Sequence, residues 1–174
     1  MVYWNKNTDL SDVYPTVKTR VKNCKYLPRT ITKAGIILYT HHEDEIVFGL
    51  GLENVNHDIV DFSVNIDSID NIFDVLLKNL NMQLLNIFEV LQTKDIMDCP
   101  VLYDKQRLIC FVHLNADPDE ISERFIKIYN EDHNICCVTW FTITDFNHNV
   151  LNKNNFDQSL KDFLFKVQEF LYLL

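Results

Sequence analysis

The sequence predicts an α+β domain in which a mixed β-sheet is packed between helices, an α/β/α sandwich. Three observations carry this. Two apolar, β-branched runs, 31–40 (ITKAGIILYT) and 45–51 (EIVFGLG), flank the polar stretch His41–Asp44, which is a hairpin signal. Ile69, Ile72, Phe73, Leu76, Leu77 and Leu80 recur at the spacing of one helix face. Strand-like and helix-like patterns then alternate to the C-terminus, the order expected when helices cover a mostly β core.

The elements follow in order. Residues 1–30 read as an irregular or partly helical lead-in packed on a domain spanning 31–174. After the hairpin, Asp58–Ser63 is a short strand, and the helix that follows has Ser68 or Asp67 as its cap. Residues 84–93 (LLNIFEVLQT) and 107–115 (RLICFVHLN) read as strands. Asp117, Pro118 and Glu120 supply an N-cap, a first-turn proline and a capping-box acid. The helix they start carries Ile121, Phe125, Ile128 and Tyr129 on one face, and 135–144 (ICCVTWFTIT) is a further strand. Leu160, Phe163, Leu164, Val167, Leu171 and Leu174 stripe a last helix. Phe165, Phe170, Tyr172 and Leu173 lie off that stripe, the pattern of a subunit interface or of ordinary exposed aromatics.

Composition narrows the function classes. At 174 residues and 47% apolar content the chain is long and apolar enough for one cored domain. No apolar stretch approaches the roughly 20 residues that span a bilayer, and the start lacks a secretory pattern. Five cysteines without CxxC spacing read as reduced thiols, which predicts a cytoplasmic setting. The net charge of −9 argues against general nucleic-acid binding. The charge is uneven, because no acid occurs between Asp12 and Glu43, where Lys18, Arg20, Lys22, Lys25, Arg29 and Lys33 lie. That interval is a candidate grip for a phosphate chain, RNA or an acidic partner, with Tyr14 and Tyr26 able to stack on a base; solvated, unrelated lysines are the bland alternative.

Residues 59–86, IVDFSVNIDSIDNIFDVLLKNLNMQLLN, resemble the box of the Nudix hydrolase superfamily, G-x5-E-x7-R-E-U-x-E-E-x-G-U with U a bulky aliphatic. Asp70 takes the first glutamate place, Lys78 the arginine place and Leu80 the aliphatic place. Val64, preceded by Ser63, takes the glycine place. Asn79, Met82 and Gln83 occupy the three glutamate places. AGIILY with VFGLG, CPVLYD with RLICFVHL, and VTWFTITDF resemble the family's hairpin, central strands and late strand, in the same order, from about Thr30 to Leu174. The ending LLNIF, in place of a glycine-bearing end, is similar to Nudix-like proteins of large DNA viruses, and the abundance of Asn, Ile and Lys is compatible with an AT-rich genome.

The resemblance implies a fold whose usual chemistry is missing. The family cleaves nucleoside diphosphate derivatives with magnesium, which neutralises the phosphates and lowers the pKa of the attacking water. Magnesium takes hard oxygen ligands. Asn79 and Gln83 offer neutral carbonyls, and Met82 a soft sulfur unsuited to it. The resemblance thus implies no catalytic residue, no metal and no cofactor. It implies a pseudoenzyme acting as a structural or interaction subunit, of a viral assembly if the source is viral, in host cytoplasm or virion. A protein partner or a homo-oligomer is the implied company, and no membrane. Two alternatives stand. A divergent hydrolase of nucleoside diphosphate derivatives or capped RNA would hold magnesium or manganese through Asp67, Asp70 and Asp74, spaced i, i+3 and i+7, or through Glu89. A non-hydrolytic nucleotide or RNA binder would use the basic interval.

Other candidates have plainer explanations. Asp67, Asp70 and Asp74 suit the first turns of a helix through its dipole. His41 and His42 beside Glu43–Glu45 read as a polar turn rather than a zinc site. Asp104 reads as an exposed strand end, and Asp61, His57 and Cys99 show no spacing that makes a nucleophile–base set.

Overall fold

The computed structural model describes residues 16–18, 27–88, 91–97, 99–145, 148 and 156–165. Its strands are β1 (Thr16–Lys18), β2 (Lys33–His42), β3 (Glu45–Glu53), β4 (Ile59–Val60), β5 (Phe62–Asn65), β6 (Val101–Tyr103), β7 (Arg107–His113) and β8 (Ile135–Thr142). Its helices are α1 (Ile72–Gln83), α2 (Thr93–Met97), α3 (Pro118–Ile128) and α4 (Gln158–Phe165). The strands form one mixed sheet with helices on both faces, an α+β arrangement. Inside the 1–30 segment, β1 is a sheet strand, antiparallel to β6.

β2 is the spine. On one edge it runs parallel to β7, Lys33 through Tyr39 against Arg107 through His113. On its other edge the partner changes midway. Lys33–Ile36 pair with β5, and Leu38–His42 pair with β3. The hairpin between β2 and β3 closes on Glu43 and Asp44, both with positive φ (48° and 66°), the geometry that suits the right-handed twist of paired strands. β3 continues past the fork and pairs with β4 on that side and β8 on the other.

Period-two alternation sorts the core into two layers. Ala34, Ile36 and Leu38 of β2, with Leu108, Cys110 and Val112 of β7, face the layer that holds Ile72, Phe73, Leu76 and Leu80 of α1, Ile96 of α2 and Ile121 and Phe125 of α3. Ile37, Phe48, Leu50, Ile109 and Phe111 face the opposite layer with Phe156 and Leu160 at α4. Both central strands are therefore buried on both faces, which is why they read as continuous apolar runs. Trp140 of β8 lies over Gly49, where an added Cβ would sit 2.7 Å from its ring. Its indole N–H donates to Ser122 Oγ at 3.0 Å, joining β8 to α3.

Asp61 stands at the fork, between the strand that pairs with β3 and the one that pairs with β2. Its side chain is 1% exposed and pairs with Arg107 at 2.7 Å, itself 5% exposed. Arg107 also donates to Ser159 Oγ at 2.6 Å and approaches Asp157 at 4.0 Å, so one guanidinium ties β7, the fork and the start of α4. Gly35 lies beneath the carboxylate, and an added Cβ there would be 2.1 Å from Asp61 Oδ2.

Three expectations are corrected. Residues 84–93 are not a strand. Leu85 and Asn86 have φ of 53° and 60°, incompatible with extended chain, and 84–88 form turns that lead to α2. Apolar Leu84, Phe88 and Ile96 are buried there without strand periodicity. The α1 helix starts at Ile72 rather than 69, because Ser68 Oγ accepts the Asp70 N–H at 3.1 Å and Asn71 takes a left-handed φ of 60°. Local side-chain turns of this kind compete with the helix. The expected strand at Asp58–Ser63 is split at Asp61 into β4 and β5. No helix of the described residues is long and apolar enough to cross a membrane.

Arg107→Met should leave Asp61 as an uncompensated buried carboxylate and lower stability by about 3–5 kcal/mol, read from the midpoint of urea unfolding. A loss under about 1 kcal/mol would show that the sheet does not depend on the pair.

Candidate functional site

The box-like segment folds as strand, turn and helix: β5, the 66–71 turn, and α1. Val64, at the glycine place, lies within β5 opposite Ala34, in extended backbone that valine adopts freely. All three glycines lie in β2 and β3 with negative φ, so none forms a phosphate-binding turn. At the far end of the box, the position just past the helix cap keeps left-handed backbone, although Leu85 occupies it. Glycine is the usual residue in that place.

The three residues aligned with the glutamate places divide. Met82 is 63% exposed on the outer side of α1. Asn79 is buried, and its Nδ2 donates to the Phe62 carbonyl at 3.3 Å. Gln83 Nε2 donates to the Ser63 carbonyl at 3.2 Å and to Asn79 Oδ1 at 3.5 Å. The amide orientations follow from their partners, since the opposite flip would set oxygen against a backbone carbonyl. The C-terminal end of α1 is also held, by His133 Nε2 on the Gln83 carbonyl at 2.5 Å.

The donor set does not fit magnesium. Two backbone carbonyls converge on the inner face of α1, and carboxylates at 79 and 83 would add only more acceptors. Such a gathering of oxygens needs a cation at its centre. Here the amide hydrogens fill that electrostatic role, and their donor ends point inward. Met82 turns away.

The other predicted residues are dispersed. Asp67 and Asp70 precede α1, so the expected i, i+3, i+7 helix face with Asp74 does not form. Asp70 pairs with Arg29 at 3.7 Å, not with Lys78, and both partners are mostly exposed. Asp74 accepts from Thr93 Oγ1 at 2.6 Å, linking α1 to α2. Exposed Lys78 borders an open depression with Asp74, Leu77, Asn81, Met82 and Asn86. Asp104 organises a turn, accepting from the N–H groups of Gln106 and Arg107. Asp61 is committed to Arg107, Cys99 donates to the Ile96 carbonyl at 2.7 Å, and His57 is in the exposed turn after β3. These three make no set.

Of the basic interval, Arg29 is exposed and Lys33 half-buried at the start of β2, and Lys18 is a β1 residue. Arg20, Lys22, Lys25, Tyr14, Tyr26, Glu89, Phe170, Tyr172 and Leu173 lie outside the described residues. Among the described residues, no three His, Cys, Asp or Glu side chains are placed to hold a metal ion. His42 instead approaches Asp117 at 3.4 Å, and His41 packs its ring against His113 at 5.6 Å.

The sequence does not show the carbonyl roles of Phe62 and Ser63 or the pairing of Asp61 with Arg107. The pair leaves a faint signal: a lone acid inside IVDFSV and a cation heading RLICFVHL. Tyr39 and His113 also stand out. Burial pushes the Tyr39 phenol pKa up, with Cys99 adding to it. Burial, and then His41, hold His113 below its ordinary 6.5.

Two outcomes follow. Asn79→Asp should replace a donor with an acceptor against the Phe62 carbonyl and cost about 1–3 kcal/mol at neutral pH, easing as pH falls and the new carboxyl gains a proton. Urea unfolding of the variant and the parent near pH 7 and about pH 4.5 reads this. His113 binds fewer protons folded than unfolded between its lowered pKa and 6.5, so its contribution makes stability rise with pH across that window and fall as pH drops below 6.5. His113→Asn should flatten that part of the stability–pH profile.

No protein-family model and no curated protein matches the chain. Among solved structures, it is similar to one described as the crystal structure of a C. elegans Ap4A hydrolase binary complex, with 13% identity, a TM-score of 0.48, and coverage of 83% of this chain and 99% of that one.

Proposed function

We propose that this chain is a Nudix-like protein whose box serves as architecture, and that it works by binding rather than by hydrolysis. Its role is that of a structural or interaction subunit, with a protein partner or a second copy of itself. The observation that carries this reading is the pair of amide donors, Asn79 to the Phe62 carbonyl and Gln83 to the Ser63 carbonyl. They supply hydrogen where phosphoanhydride hydrolysis would need carboxylates around a cation. The dispersal of Asp67, Asp70 and Asp74 supports the same reading, because those acids do not gather to replace the missing ligands.

Assays with magnesium or manganese on dinucleoside polyphosphates, nucleoside diphosphate sugars and capped RNA should give no turnover above the buffer. Turnover that vanishes on changing Asp70 or Asp74 to Asn would overturn the proposal. Light scattering across a range of concentrations separates self-association from a requirement for another protein.

A further inference from the structure

β8 carries two adjacent cysteines, Cys136 and Cys137, both half-buried. Among the described strands, β8 pairs with β3 alone. In a regular strand, neighbouring side chains point to opposite faces. Here the register breaks. Cys137 lies opposite Leu52 and Ile135 opposite Glu53, so two steps along β8 match one along β3 and Cys136 is the extra residue. Ile135 and Val138, three residues apart, both reach the core layer of α1 and α3, as an inserted residue requires. A bulge of this kind re-aims side chains.

Burial raises the Cys136 thiol pKa, and Cys137 adds to it through charge and a side-chain hydrogen bond, an approach that neighbours on opposite faces do not make. Cys137 Sγ also lies 3.8 Å from Thr139 Oγ1. The pair is therefore a dithiol held together and kept protonated at neutral pH. Three uses of two thiols differ in what they need. Zinc takes thiolates and four ligands, and among the described residues no third His, Cys, Asp or Glu completes a metal site. A direct disulfide usually joins Cα atoms about 4.4–6.8 Å apart, whereas consecutive ones are about 3.8 Å apart. A soft atom inserted between the sulfurs lengthens that bridge. Trivalent arsenic is such an atom, and it bonds neutral thiols with loss of water.

We propose that Cys136 and Cys137 form a dithiol site that captures trivalent organoarsenic oxides. Two As–S bonds form and the As=O bond breaks, its oxygen leaving as water with the two thiol hydrogens. Arsenic stays trivalent and the sulfurs keep their oxidation state, so the step needs no oxidant or reductant.

The probe is phenylarsine oxide, added to the reduced full chain and read by intact-mass spectrometry under non-denaturing conditions. Cys24 lies outside the described residues, so the parent for the test carries Cys24→Ala. Cys99 and Cys110 are buried. One equivalent should be retained against excess glutathione, a monothiol, and released by 1,2-ethanedithiol. Cys136→Ala and Cys137→Ala should each raise the concentration for half-occupancy by roughly a hundredfold, the loss expected when a tethered second thiol is removed. Thermal unfolding checks that both variants are folded, and serine takes the place of alanine where one is not. No retained equivalent, unaltered retention in both variants, or release by glutathione would overturn the proposal. None of these results bears on whether the box hydrolyses nucleotides.

Discussion

The buried contact between Asp61 and Arg107 is the constraint on which the rest of the sheet depends. β2 exchanges one neighbour for another along a single edge, and the chain must cross from β4 to β5 at that fork. The crossing residue sits under α4, out of water. An acid there is costly unless it is paired. Arg107 supplies the charge, and its remaining contacts at Ser159 and Asp157 bring the start of α4 onto the same point. Gly35 then follows from space alone, because the carboxylate takes the volume a Cβ would need. One ion pair thereby fixes strand exchange, helix placement and a glycine.

The fork also sets the inner face of α1. β5 holds the carbonyls of Phe62 and Ser63 at positions that Asn79 and Gln83 reach from one helix face, four residues apart. A helix–strand contact of this kind tolerates two solutions: acidic side chains with a cation between, or side chains that donate hydrogen themselves. This chain has the second. The two amides join α1 directly to β5.

The sequence by itself determined the elements whose signal is local. The long apolar, β-branched runs of β2 and β7, the hairpin at Glu43–Asp44, the apolar stripe of α1 and the Asp117–Pro118 start of α3 are local patterns, and these survive into the fold. The stretch 84–93 did not, because a short apolar run has no period of its own and left-handed Leu85 and Asn86 turned it out of a strand. The start of α1 was misplaced for a similar reason: a serine side chain offered the backbone a turn before the helix began. The absence of carboxylates at 79, 82 and 83 was equally plain from residue types alone. What those residues do instead was decided by tertiary structure. Only the approach of β5 brings backbone carbonyls to the amides of Asn79 and Gln83, and only the fork buries Asp61 against an arginine 46 residues away. Carbonyl positions and long-range pairings leave no periodic trace in a chain, so no reading of local pattern reaches them.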